Sequence, residues 1–104
     1  MKKIENKLVT IIILQDKDGK DKPQTSTYAK LIEDCLQNPP EGGFKYAEIK
    51  KRDRIWDKVK DQTAAEIELE DEDFANLLRC VNEMSWAILS KGIIQFMDDI
   101  NNIK

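Results

Sequence analysis

Residues 66–84, EIELEDEDFANLLRCVNEM, determine the fold class, because the spacing of their apolar residues changes partway along. Ile67 and Leu69 alternate with glutamates, which is the pattern of a strand with one buried face. From Asp71 onward the apolar residues recur every three or four positions, which is the pattern of an amphipathic helix. That helix carries on one face Phe74, Leu77, Leu78, Val81 and Met84. A strand joined directly to a helix predicts an α+β fold.

The segment 8–14, LVTIIIL, supplies the strand that we expect to pair with residues 64–69. Both its even and its odd positions are mostly apolar, with Thr10 the exception, as in a strand that is covered on both faces. A solvated turn with an Asp18-Gly19 signal follows, and it can form a hairpin whose second arm lies at a sheet edge. Either helices cover both faces of the strand, or the strand pairs with a second copy of the chain. We predict self-association, as a homodimer, through Val9, Ile11 and Ile13.

Three further helices are predicted from apolar spacing and capping residues. Thr27 can cap a helix that ends at Asn38-Pro39-Pro40, a second helix spans about Tyr46 to Lys60, and Ser90 can cap the last. The second helix carries on one side Ile49, Ile55, Trp56 and Val59, and the last carries Ile93, Ile94, Met97, Ile100 and Ile103. We predict a single domain, residues 1–104, of mostly helical α+β class. Its four helices pack on a small two- or three-stranded sheet in the order β-α-α-β-α-α.

The composition excludes several function classes. The chain has 17 Lys and Arg against 20 Asp and Glu, a net charge of −3, which disfavours generic binding to nucleic acid or anionic membrane. It has no histidine, so Ser-His-Asp and Cys-His catalysis and His-rich zinc sites are excluded. The longest apolar run is far shorter than the roughly 20 residues that a membrane-spanning helix needs. We expect a mature protein that begins at Met1, stays in the cytoplasm, and has no cofactor or metal ion.

The cysteines and tryptophans have ordinary structural explanations. Cys35 and Cys80 lie on apolar helix faces, so we expect buried free thiols, with a disulfide as the alternative. Trp56 and Trp86 are expected to be core aromatics, with a role as an anchor in a partner interface as the alternative.

The charges between residues 45 and 73 are segregated. Residues 45–60 contain seven basic and three acidic residues, whereas residues 61–73 contain seven acidic residues and no basic one. Four of the cations fall within about a quarter of the helical wheel and form what we call the basic stripe: Lys50, Lys51, Arg54 and Lys58. Such a stripe suits an acidic partner surface or a phosphate backbone, and a solvated face balanced by nearby carboxylates is the simpler explanation.

Arg52 falls in the middle of the apolar face of the second helix, where a charge must be paired or must extend to solvent. Glu48 lies one turn earlier, and Glu66 or Glu68 on the strand could also reach it. We interpret Arg52 as a structural charge. If pairing is its only role, replacing it with Met should be close to neutral, because a hydrophobic isostere often equals a buried ion pair.

Three segments together resemble small proteins encoded in tailed-phage and prophage genomes: TYAKLIEDCLQNPPEGGF with KKRDRIWDKV, then EIELEDEDFANLLRCVNEMSWAI, then IIQFMDDI. In that group a short strand precedes a helix that ends in a Pro-Pro-Gly-Gly-like loop, and the third helix begins with acidic residues. The resemblance is one of pattern and covers roughly residues 8–100. It implies a phage or prophage gene that acts in a bacterial cytoplasm through protein contacts, and it transfers no activity.

These observations lead us to expect a non-enzymatic accessory protein that binds another protein of the phage or the bacterial host. It would act as an assembly helper, a minor structural component or an inhibitor of a host factor. The alternative is a small nucleic-acid-associated regulator that uses the basic stripe. Because the chain as a whole is acidic, we expect nucleic acid and membrane to be poor partners.

Overall fold

The computed structural model describes residues 1–14, 21–61, 63–86 and 90–103, with the backbone alone at 11–14 and 21–24. The predicted turn at Asp18-Gly19, and residues 87–89 of the apolar link before the last helix, lie outside the described residues. The described elements follow the order β1 Lys2–Glu5, β2 Leu8–Leu14, β3 Asp21–Thr27, α1 Tyr28–Gln37, α2 Tyr46–Val59, β4 Glu66–Leu69, α3 Asp71–Glu83 and α4 Lys91–Asn101. The predicted α+β class, with four helices, is confirmed.

The strand β4 pairs antiparallel with β1, so the predicted pairing of residues 64–69 with residues 8–14 is wrong. Ile4 lies opposite Ile67, and each side chain is only 1% exposed. On the outer face, Lys3 Nζ lies 3.9 Å from a carboxylate oxygen of Glu68. Both strands have four residues; β1 turns Ile4 inward, β4 turns Ile67 and Leu69 inward, and both turn charged residues outward. Sequence reasoning missed β1 because KKIE has a single apolar residue and therefore gives almost no periodic signal.

The strand β2 pairs antiparallel with β3, from Leu8 opposite Thr27 to Leu14 opposite Asp21, which confirms the expected hairpin. The described strands thus form two two-stranded sheets instead of one. The expectation that β2 is covered on both faces is wrong at its start, because Leu8 is 76% exposed while Val9 is 8% exposed. That end of the strand alternates because α4 covers only one of its faces.

The helices begin where capping residues allow. The Thr27 hydroxyl accepts a hydrogen bond from the Lys30 amide at 3.2 Å, and the Ser90 hydroxyl accepts one from the Gly92 amide at 3.3 Å. Both caps match the sequence prediction. Between α1 and α2 the chain turns through Gly42 and Gly43, whose φ angles of 85° and 88° lie in the left-handed region that glycine favours.

The core lies between the four helices and the two sheets. Its fully buried side chains include Phe96, Leu31, Ile32, Ile55, Leu77 and Ile100. Two residues that we placed on apolar faces are half exposed, Ile49 at 51% and Ile94 at 49%. Phe96, which the predicted face of the last helix omitted, is fully buried and contacts Tyr28 edge to face, with the ring centroids 5.0 Å apart.

Candidate protein-binding surface

A groove of about 520 Å³ lies between the C-terminal end of α1 and the first three turns of α2. We call it the α1–α2 groove. Its lining residues are Leu36, Gln37, Phe44, Ile49, Arg52, Asp53 and Trp56. Phe44 is 39% exposed and Ile49 is 51% exposed, so large apolar side chains face solvent here. The groove is therefore an apolar depression on the surface of the protein.

The local sequence explains why this depression exists. Pro39 and Pro40 end α1, and the glycine turn brings the chain back so that α2 packs beside α1. Phe44, the second residue before α2, lines the groove from the end of this loop. The Arg52 guanidinium lies over the Phe44 ring, 5.0 Å from the ring centroid, which holds the ring in a defined position.

Arg52 forms the floor of the groove and is 7% exposed. Its Nε donates a hydrogen bond to Glu48 at 2.7 Å. Its Nη1 donates to the carbonyls of Leu36 at 2.9 Å and Asn38 at 2.7 Å, and more weakly to that of Cys35 at 3.4 Å. The last carbonyls of a helix have no partner within the helix. Arg52 therefore caps the C-terminal end of α1 as well as pairing with a carboxylate.

Glu48 is the carboxylate that reaches Arg52, whereas Glu66 and Glu68 lie on the exposed face of β4. Glu48 also accepts two hydrogen bonds from Arg79 of α3, at 2.8 and 2.9 Å. Burial opposes its ionisation, but the hydrogen bonds from Arg79 and Arg52 prevail and hold the pKa of Glu48 below its ordinary value of 4.5. Sequence reasoning missed Arg79, because the distance of 31 residues to Glu48 gives no periodic signal.

The basic stripe is exposed along its whole length. Arg54 Nη2 lies 3.4 Å from the carboxylate of Asp73, which is 4% exposed at the start of α3. Lys50 Nζ lies 4.9 Å from the centroid of the exposed Tyr46 ring. On the helical wheel the centre of the stripe lies about 165° from the centre of the groove residues of α2, so the stripe and the groove occupy opposite edges of the exposed side of the helix.

The exposed charges of this region are strongly unbalanced. Between residues 45 and 60 there are six exposed cations and two exposed carboxylates, and the remaining two charges, Arg52 and Glu48, are largely buried and paired with each other. The chain as a whole has a net charge of −3. The surface of α2 is therefore a basic region on an acidic protein.

The predicted self-association residues lie elsewhere, on β2. Val9 is buried against α4, and Ile11 and Ile13 belong to the strand by their backbone, while their side chains lie outside the described residues. The stripe and Arg52 therefore share α2 but lie on different faces of it, the stripe exposed and Arg52 buried, and β2 is a separate element. Trp56 lines the groove, and Trp86 contacts the Phe96 ring with centroids 6.3 Å apart.

A second polar cluster connects the N-terminal segment to α4. The Tyr28 hydroxyl donates to Asp99 at 2.5 Å, Gln95 donates to it at 2.8 Å, and Lys7 lies 3.4 Å away. The hydrogen bond from Tyr28, together with Gln95 and Lys7, holds the pKa of Asp99 below 3.8. Burial and the neighbouring Asp99 raise the pKa of Tyr28 above its ordinary value of 10.0. This cluster fastens α1 and the segment after β1 to α4.

Both cysteines are free and buried. Burial raises the pKa of Cys35 to about 12 and also raises that of Cys80. Among the described residues, no group of three or more Cys, Asp or Glu side chains could hold a metal ion. None of the helices in the described part of the chain has the length and apolar character to cross a membrane.

The chain matches no protein-family model, no curated protein and no solved structure with which it was compared. Function must therefore be inferred from the groove, the charges and the sequence pattern.

Proposed function

We propose that this chain is a non-enzymatic phage or prophage accessory protein of the bacterial cytoplasm. It binds an acidic, amphipathic segment of another protein across the exposed side of α2. The observation that carries this proposal is the pair of half-exposed apolar side chains, Phe44 and Ile49, at one edge of a helix whose exposed charges are mostly basic. The sequence resemblance supplies the phage and cytoplasmic context.

The apolar edge supports binding through burial. Half-exposed side chains such as Phe44 and Ile49 still have much apolar surface to remove from water, and each square ångström contributes roughly 25 cal/mol. Trp56 adds an aromatic wall to the same groove. Aromatic side chains in a pocket are typical centres of binding energy. A partner segment therefore gains most of its affinity here.

The basic edge supports the choice of an acidic partner. An excess of cations on one face attracts a segment of opposite charge and speeds its association. The same cations repel a segment that is itself basic. A segment that lies along the groove edge of α2 can place apolar residues over the groove and a carboxylate over Lys50, which is adjacent to Ile49 in the sequence. Lys58 and the other cations of the stripe then act through longer-range attraction. An amphipathic helix is the simplest segment of that kind.

Nucleic acid is less well supported as the partner. Arg54 already faces the buried Asp73 carboxylate, and further acidic residues of α3 lie next to Asp73 in the sequence. Fewer cations of the stripe therefore remain available to displace counterions from phosphates. We expect no shift of DNA or RNA below about 10 μM protein at roughly 150 mM salt.

The test places a photo-cross-linking amino acid at position 49 in one variant and at position 94 in a control variant. The two sites are matched, because Ile49 and Ile94 are each about half exposed but lie on different helices. Proteins cross-linked in host or phage-infected cells are identified, and binding is then measured with the purified partner. We expect the cross-link from position 49 alone, to an acidic segment.

Point variants then test the two edges of the surface separately. Ile49→Glu should weaken binding to the purified partner at least tenfold, while Ile94→Glu should not. Lys50→Glu with Lys58→Glu should slow association and remove its salt dependence, in contrast to Lys91→Glu on α4. Equal cross-linking from both positions, a basic contact segment, or a sequence-selective nucleic-acid complex at nanomolar protein would each overturn the proposal.

A further inference from the structure

The strand β2 carries an interaction surface of its own, separate from α2. We infer that β2 of one copy pairs antiparallel with β2 of a second copy, so that the two hairpins join into a four-stranded sheet with the order β3-β2-β2-β3. This inference does not rest on the proposed function.

The first observation is the pairing of the hairpin. Within the described parts of the chain, β2 forms its backbone ladder with β3 alone, and β1 and β4 form a separate sheet. A strand paired on one side presents a row of free N–H and C=O groups on the other. An isolated two-stranded hairpin is also only marginally stable in water, whereas a sheet of three or more strands with an apolar face can be stable. Among the described residues, the edge of β2 beyond Thr10 is thus a template for a further strand.

The second observation is the contrast between the two strands of the hairpin. The sequence of β3, DKPQTST, is polar, and its Pro23 lies opposite Ile12. Proline and charged residues are the devices with which proteins protect an edge strand, because proline offers no N–H to a neighbour. The sequence of β2, LVTIIIL, has no charged residue and no proline. The β3 strand therefore carries the residues that protect an edge, and the β2 strand does not.

The third observation is how the hairpin attaches to the rest of the molecule. A Cβ placed on Gly92 of α4 would come within 2.6 Å of Val9 Cγ2 and 2.8 Å of the Thr10 carbonyl. Because the Tyr28 amide donates to the Lys7 carbonyl, the Thr10 carbonyl points away from β3, so α4 covers the outer edge of β2 at Thr10. Thr27, the last residue of β3, caps α1. Leu8, next to Val9, is 76% exposed. The β2–β3 hairpin is thus anchored to the rest of the molecule at one end, and the apolar side chain of Leu8 is in contact with solvent.

A second copy is the occupant that these features favour. Antiparallel pairing of a strand with itself obeys twofold symmetry, so each apolar residue of β2 meets another apolar residue. Since β2 carries no charged residue, no like charges face each other in the seam. Pro23 then lies on both outer strands and prevents the sheet from growing. The assembly closes as a dimer.

Two solution measurements test the inference. Sedimentation over a micromolar dilution series should show a species of twice the 12.1 kDa chain mass that dissociates on dilution. Hydrogen exchange of the amides in β2 should slow as protein concentration rises, while exchange in β4 should not. A single 12.1 kDa species at every concentration would overturn the inference, as would exchange in β2 that does not depend on concentration.

Disulfide trapping tests the register. The native Cys35 and Cys80 are 1% and 2% exposed, so they should form almost no disulfide-linked dimer themselves. After mild oxidation, at least one of the variants I11C, I12C and I13C should form a disulfide-linked dimer in high yield. The reason is that a residue on the twofold axis faces its own copy in the partner. The control I94C, on an exposed part of α4, should not. Equal yields from I94C, or a monomer that instead captures an apolar strand peptide, would show that the edge serves something other than a second copy.

Discussion

Arg52 Nε donates a hydrogen bond of 2.7 Å to Glu48, four residues earlier on α2, and the two side chains are 8% and 17% exposed. This pair lies at the junction of three helices, because the Arg52 guanidinium also reaches carbonyls at the end of α1 and Glu48 also binds Arg79 of α3. The charges therefore hold the helices that form the α1–α2 groove.

Replacing Arg52 with Met should destabilise the protein by about 2–4 kcal/mol, because it leaves the carbonyls of Leu36 and Asn38 without their donor. Pairing with Glu48 alone predicted a nearly neutral change, so this substitution separates the two roles. Chemical denaturation of Arg52→Met measures the loss. The control Lys51→Met, at an exposed position on the same helix, should change stability by less than about 0.5 kcal/mol. A loss no larger than that of the control would show that capping of α1 contributes little.

Replacing Glu48 with Gln should cost on the order of 3 kcal/mol, because it leaves the buried Arg52 charge without a carboxylate. Arg79 loses its partner as well, but it retains Glu83 at 3.4 Å. The matched control is Glu83→Gln, which removes an exposed carboxylate from the same arginine and should cost less than about 1 kcal/mol. Thermal and urea unfolding of both variants measure the difference. Equal losses would contradict a special role for Glu48.

The Asp99 cluster should contribute to acid unfolding. Hydrogen bonds hold the folded-state pKa of Asp99 below 3.8, so its contribution is present above that pH and is lost as the pH falls through the lower folded-state value. In Asp99→Asn the stability at neutral pH should fall, and the remaining stability should vary less between about pH 4 and pH 2. Urea unfolding at several pH values measures this. The exposed Asp98→Asn serves as the control, and identical pH profiles for the two variants would contradict the assignment.

Replacing Gly92 with Ala should destabilise the protein by about 1–3 kcal/mol, through overpacking against Val9 and the Thr10 carbonyl. On an uncrowded helix surface the same change would stabilise the protein by up to about 1 kcal/mol, because Ala has a higher helix propensity than Gly. The sign of the measured change therefore shows whether overpacking or helix propensity dominates. The neighbouring exposed Lys91→Ala should be close to neutral. Differential scanning calorimetry of the two variants is the measurement. A stabilised Gly92→Ala variant would show that α4 and β2 separate easily.

Much of the fold could be predicted from the sequence because it depends on local patterns. The alternation of Ile67 and Leu69, the caps at Thr27 and Ser90, and the end of α1 at its proline pair each involve residues only a few positions apart. Arg52 could also be identified as a buried charge, since its place on the wheel lies among apolar residues. Periodicity and capping depend on residues within one helix or strand, so they can be recognised in a short stretch of sequence.

Only the tertiary structure decided which elements meet. It paired β4 with β1 and not with residues 8–14, chose Glu48 as the partner of Arg52, added Arg79 from α3, and left Ile49 at a groove where the apolar face of α2 exceeds what α1 covers. These outcomes depend on contacts between residues far apart in the chain, where a strand as short as KKIE gains its stability from burial of Ile4 against Ile67. Local propensity is too weak to specify such a strand, and the free energy that selects it arises only when the two segments pack together.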